Sequence, residues 1–197
     1  MNANDLWFTA RGAGLSALLT LSVATACGAL GSMRSVRPET RVVIQYLHRT
    51  AALLGLGLIL VHVSTIVLDT KSHVSLAGVL VPFASHYRPN AVALGSIAAY
   101  LLLAVAALGL ARGKLATSPR GSRLWRTLHA VAYPVWTLAV LHSLLAGTDR
   151  HQAWVLALTF GCLILVLLCG AVRLMTLDDP AGSPAGTGTG RKPAPVR

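Results

Sequence analysis

The chain has 197 residues, 54% of them hydrophobic and 12% charged, with a mean hydropathy of +0.65. Soluble domains carry roughly 25% charged residues, so the composition leaves no room for a sizeable soluble domain. The formal charge of +11 would suit a nucleic-acid binder, but the basic residues gather in alternate connections between apolar runs, which makes the charge a topology signal instead.

A bilayer core of ~30 Å takes about 20 apolar residues per helical span, and runs of that length recur along the chain. The first, Leu6–Leu30, is too long for a signal-peptide core and lacks a basic leader, so it is expected to be a retained helix. Gly31, Ser32 and Pro38 break it, with Arg34, Arg37 and Arg41 in the connection. The second run is Val42–Leu68. Residues 70–90 then form a loop with Lys71, Arg88 and an apolar stretch, Ser75–Phe83, interrupted by Pro82 and followed by Pro89. That stretch is too short to span, so an interfacial or re-entrant segment is expected. The third run, Ala91–Ala111, leads into a basic connection with Arg112, Lys114, Arg120, Arg123 and Arg126. The fourth, Leu124–Ala146, carries Pro134 in its middle, and Gly147-Thr148-Asp149 turns the chain into the fifth, Ala153–Leu174.

The expected fold is an all-α, integral membrane bundle of about five transmembrane helices, multi-pass in the cytoplasmic membrane. Basic connections stay cytoplasmic, which puts the N-terminus outside and the C-terminus inside. Residues 1–176 make the membrane domain, and residues 177–197, rich in Pro, Gly, Ser and Thr, are expected to be a disordered cytoplasmic tail. Its Gly-Thr-Gly-Thr-Gly run follows no strand and opens no helix, so it is not a nucleotide fingerprint. Trp125 falls near the inner interface, and Trp7 and Trp154 near the outer one, as amphipathic rings prefer. Cys27, Cys162 and Cys169 sit in apolar runs without a C-x-x-C or C-x-x-C-H pattern, which argues for buried hydrophobes and against covalent haem or zinc.

Seven histidines remain to be placed. His73, His86 and His151 are in polar connections, whereas His48 and His62 lie in the second run and His129 and His142 in the fourth. An ionisable side chain at membrane depth is costly and is functional by default. His48 is seven residues past Arg41 and His129 six past Arg123; His62 is seven before Asp69 and His142 seven before Asp149. Both runs point the same way, so His48 shares a level with His129, and His62 with His142. Two imidazoles at one level on facing helices can supply both axial ligands of a haem. The separations of 14 and 13 residues put the two levels ~20 Å apart. At ~100° per residue, 14 steps return to nearly the same helix face, whereas 13 leave the second histidine roughly 140° away. Pro134 can kink the helix and re-aim one end.

Gly55, midway between His48 and His62, admits either a flat macrocycle or a neighbouring helix. Arg11, near the level of His62, and Arg49, beside His48, suit haem propionates or the membrane interface equally well.

The H-x13-H and H-x12-H pattern on the second and fourth runs resembles the ferric reductase-like transmembrane domain over roughly residues 6–175. Leu-His-Arg at 47–49, Val-His at 61–62, Leu-His-Ala at 128–130, Leu-His-Ser at 141–143 and Trp7 with Arg11-Gly12 carry the resemblance. It implies two b-type haems ligated by His48, His62, His129 and His142, and electron flow from the cytoplasmic side outward. Members of the family usually continue into a flavin and NADPH domain, whereas only about 20 residues follow the fifth run here. The electron donor would then be a separate flavoprotein, with partner-bound flavin, or a quinol. The acceptor would be ferric iron, oxygen or a partner reductase outside the membrane, with His73 and His86 as loop residues able to meet it. A reading from another class is a haem-free transporter or channel whose histidines relay protons.

Overall fold

The computed structural model describes residues 3–33, 35–69 and 74–177 and is all-helical there. Its helices are α1 (Ala3–Gly31), α2 (Pro38–Leu68), α3 (Leu76–Leu80), α4 (Pro89–Leu110), α5 (Arg112–Leu115), α6 (Pro119–His129), α7 (Ala132–Ala146) and α8 (Ala153–Leu177). Taking α6 and α7 as one interrupted rod, five are long and apolar enough to cross a membrane. The chain is a multi-pass membrane protein. Helix α8 runs through Leu177, one residue past the expected boundary, and the tail from Asp178 lies outside the described residues.

Local chemistry sets the helix starts. Pro38, Pro89 and Pro119 open α2, α4 and α6, where the missing N–H has no partner to lose. The Ser118 hydroxyl caps α6 by accepting from the Gly121 N–H (3.0 Å), and Ser75 caps α3 through Gly78 (3.1 Å).

The fourth span departs from the single helix expected. It is interrupted at Ala130 and Val131, where Val131 N–H donates to Leu128 and Tyr133 N–H to Ala130, three residues back rather than four. Pro134 explains the place: it lacks an N–H, and its ring crowds the carbonyl four residues earlier, that of Ala130.

The loop stretch expected to be interfacial or re-entrant contains α3, which packs between α2 and α4. Ser96 donates to the Val79 carbonyl (2.5 Å) and Tyr100 to that of Leu80. Those two donors lie seven and eleven residues beyond Pro89, roughly 10 and 16 Å along α4. The segment therefore dips beside α4 and returns, its turn letting Gly78 lie against Ser85. Phe83 (φ 71°) and Arg88 (φ 40°) take left-handed backbone on the way back. Arg88 Nη1 then bonds the Leu145 carbonyl (2.6 Å) and Tyr87 Oη that of Ala146 (3.1 Å), which pins the return to the end of α7.

Helix α1 packs along α2 on one side and against α8 and α7 on others, and α4 packs against α7. The buried apolar cluster lies where α1, α7 and α8 meet: Leu18, Trp136, Val140, Cys162 and Val166. Trp136 Nε1 donates there to the Ser22 hydroxyl (2.8 Å), which in turn donates to the Leu18 carbonyl (2.6 Å). Helix α2 is different. Only 11% of its apolar window is buried, against 39% for α1, because it has no packing of comparable extent with α4, α6 or α7.

Replacing Ser22 by alanine strands the buried Trp136 N–H. Thermal unfolding in detergent is expected to show a loss of about 1 kcal/mol, and an unchanged midpoint would show that this bond does not hold α1 to α7.

Candidate functional site

Two histidine pairs meet across the bundle, and they are the two expected from depth. The His48 and His129 ring centroids are 6.1 Å apart with planes at 69°; those of His62 and His142 are 6.4 Å apart with planes at 82°. The first pair lies toward the end of the molecule that carries Arg37, Arg41, Arg112 and Arg123, called here the basic end. The second lies toward the Asp149 end.

Three of the four rings are held from behind by the membrane span that precedes their own. Nδ1 of His48 bonds the Ala24 carbonyl (2.7 Å), Nδ1 of His62 that of Ala10 (2.6 Å), and Nδ1 of His142 that of Ala91 (2.7 Å). A carbonyl can only accept, so Nδ1 carries the proton in all three and the lone pair is on Nε2. For His129 the corresponding carbonyl is that of Val105, in looser geometry that falls short of a full hydrogen bond. Its ring is instead stacked on Trp125, centroids 4.9 Å apart and planes within 15°.

One turn beyond each carbonyl stands a glycine. A Cβ on Gly14 would come within 2.9 Å of the His62 ring, and one on Gly95 within 2.7 Å of the His142 ring. At Gly28 and Gly109 the nearest ring atoms, of His48 and His129, would be 3.4 and 3.5 Å away. The bare backbone at Gly14 and Gly95 gives His62 and His142 room to lie against the neighbouring helix, whereas a Cβ at Gly28 or Gly109 would make ordinary contact with its ring.

These positions form an internal repeat. Ala10, Gly14, Ala24, Gly28 and His48 recur 81 residues later as Ala91, Gly95, Val105, Gly109 and His129. His62 recurs after 80, as His142, and the missing residue falls in the span interrupted at Ala130 and Val131. Helices α1 and α2 thus form one hairpin, and α4 with α6 and α7 a second copy. The interruption lets both histidines of the second copy meet those of the first despite their 13-residue spacing. The four glycines escape a reading of single helices, and the 81-residue period is the sequence signal that marks them.

Gly55 serves helix packing: a Cβ there would meet Leu21 of α1 at 2.7 Å. Arg11 follows the residue whose carbonyl holds His62, and its guanidinium pairs with Asp149 and lies over Trp7, 4.1 Å from the ring centroid. Arg49 is exposed beside His48. His86 is exposed, His151 accepts from Arg150 Nε (3.1 Å), and His73 lies outside the described residues.

Chemically, each pair brings two imidazoles together across the bundle, with Nε2 as the free donor nitrogen of His48, His62 and His142. Metal–imidazole bonds of about 2.0 Å, with each ring centroid about 1.1 Å behind its nitrogen, would separate the centroids by roughly 6.2 Å across one shared metal. Both pairs fall within 0.2 Å of that separation. Among the described residues no group of three or more His, Cys, Asp or Glu side chains converges, so each site offers a pair. No protein-family model, curated protein or solved structure matches this chain.

Alanine at Gly14 or Gly95 should push a histidine ring off its carbonyl and cost about 1–3 kcal/mol. Alanine at Gly12, whose Cβ would meet nothing within 4 Å, should instead gain up to about 1 kcal/mol from helix propensity. Opposite signs in thermal unfolding are the expected result; equal effects at the three positions would contradict the close packing of rings on helix.

Proposed function

We propose that the chain is a transmembrane electron-transfer subunit of the di-haem cytochrome b kind, with one haem gripped by His48 and His129 and another by His62 and His142. The observation that carries this is the separation of the paired rings, 6.1 and 6.4 Å, which fits one metal between two imidazoles. Two donors per site suit a metal that brings its own four equatorial nitrogens, which is what a porphyrin does. Haem supplies a one-electron Fe(III)/Fe(II) couple that needs no proton at the metal.

The protein's part is positioning. Carbonyls of Ala10, Ala24 and Ala91 fix the tautomer that leaves Nε2 free and raise its basicity as a ligand. Gly14 and Gly95 let the rings of His62 and His142 sit close to the helix. Residue spacing along α1 and α2 sets the two levels ~20 Å apart, one near each membrane face. Of the two arginines suited to propionates, Arg49 is exposed, while Arg11 already holds Asp149 and would have to share or exchange that partner.

The basic end faces the cytoplasm in this proposal, following the concentration of cations there. The functional class is that of the ferric reductase-like membrane domain, in the cytoplasmic membrane. A flavoprotein or quinol donates, and ferric iron, oxygen or a partner reductase accepts on the far side.

Protein purified from haem-replete cells should contain two haems per chain by pyridine haemochrome assay. His62→Ala or His142→Ala should each remove one, and the double mutant of that pair no more than one. His48→Ala combined with His142→Ala should remove both. A colourless wild type, or a haem content unchanged by these substitutions, would overturn the assignment.

A further inference from the structure

The histidine pairs repeat in geometry but not in surroundings. At the basic end the described residues carry Arg37, Arg41, Arg49, Arg112, Lys114, Arg120, Arg123, Arg126 and Arg173 against Glu39 as the acidic residue. At the Asp149 end the described residues carry Arg11, Arg88 and Arg150 against Asp5, Asp69 and Asp149, Lys71 lies outside the described residues, and Arg11 is paired directly with Asp149. One site therefore sits toward a strongly positive end and the other toward a nearly balanced one.

Contacts on the ligands differ in the same sense. His62 and His142 both donate full Nδ1 hydrogen bonds to carbonyls, whereas at the basic end only His48 does. His129 is backed by Trp125, whose Nε1 donates to the Leu108 carbonyl (2.8 Å) and whose ring also lies 5.3 Å from the Arg112 guanidinium. Arg112, Trp125 and His129 thus form a run of contacts leading from the exposed basic surface to a ligand.

A weaker Nδ1 bond makes an imidazole a poorer donor, which stabilises ferric iron less. Nearby cations favour the state with one more electron. Both effects act in one direction.

Resting on the haem assignment above, we propose that the His48/His129 site holds an electron more tightly than the His62/His142 site, and that the Arg112–Trp125 contact behind His129 helps to set that bias. Trp125 and Arg112 are positioning residues acting through the ligand. An electron entering from either side then rests at the basic end, and passage toward the Asp149 end depends on an acceptor that draws it there.

The test is potentiometric titration of the full haem-loaded chain in detergent, following the alpha bands. Two one-electron midpoints are expected, and the haem kept by His142→Ala should have the higher one. Arg112→Gln should lower that midpoint alone, by roughly three- to tenfold in the reduction equilibrium and no more than about 59 mV, and Arg112→Lys should restore it. Equal midpoints in wild type, a lower midpoint for the haem kept by His142→Ala, or an Arg112→Gln shift that is absent or shared by both haems would overturn the inequality while leaving the haem assignment standing. Protein that binds no haem would overturn the assignment itself.

Discussion

A hydrogen bond from imidazole Nδ1 to a helix carbonyl on the preceding span, with glycine one turn further on, is the constraint from which the rest of the bundle follows. That carbonyl is already the acceptor of an intrahelical bond; its second lone pair takes the ring N–H. Bonding there commits the histidine to one tautomer and one orientation, and for His62 and His142 the glycine is what lets the ring come close enough to bond. In an apolar surround a stranded imidazole N–H would be costly, so the bond serves stability and site geometry at once.

The same constraint accounts for the uneven packing. Helix α1 must lie close along α2 to lend the carbonyls of Ala10 and Ala24, and α4 must lie close to α7 to lend that of Ala91. The histidine-bearing face of α2 consequently meets those of α6 and α7 through imidazoles rather than through interlocked aliphatic side chains. The apolar cluster that stabilises the bundle is displaced to the junction of α1, α7 and α8. Scaffold and site occupy different parts of the molecule.

Much of this was legible in the chain. Length and apolarity marked all five spans, and counting from Arg41, Asp69, Arg123 and Asp149 paired the histidines by depth, because helical rise is nearly constant. Features that depend on which helix lies beside which were not legible. Gly55 points to the histidine face by period yet packs on Leu21; Arg11 finds Asp149 from a turn more than a hundred residues away. Pro134 announced a distortion, but the interruption falls at Ala130 and Val131, where the proline ring crowds the backbone behind it. The 81-residue repeat was in the sequence throughout, carried by alanines and glycines too common in apolar helices to stand out until the rings showed what they touch.

Both ring pairs stand nearly perpendicular, at 69° and 82°, and that angle has a direct spectroscopic consequence. Low-spin ferric haem with crossed axial imidazole planes gives a highly anisotropic signal with one large g value, whereas parallel planes give a rhombic spectrum. Low-temperature electron paramagnetic resonance of the oxidised protein should therefore show two low-spin signals of the highly anisotropic type. High-spin signals, a rhombic low-spin pair or no ferric haem signal at all would contradict the placement of an iron between each pair of crossed rings.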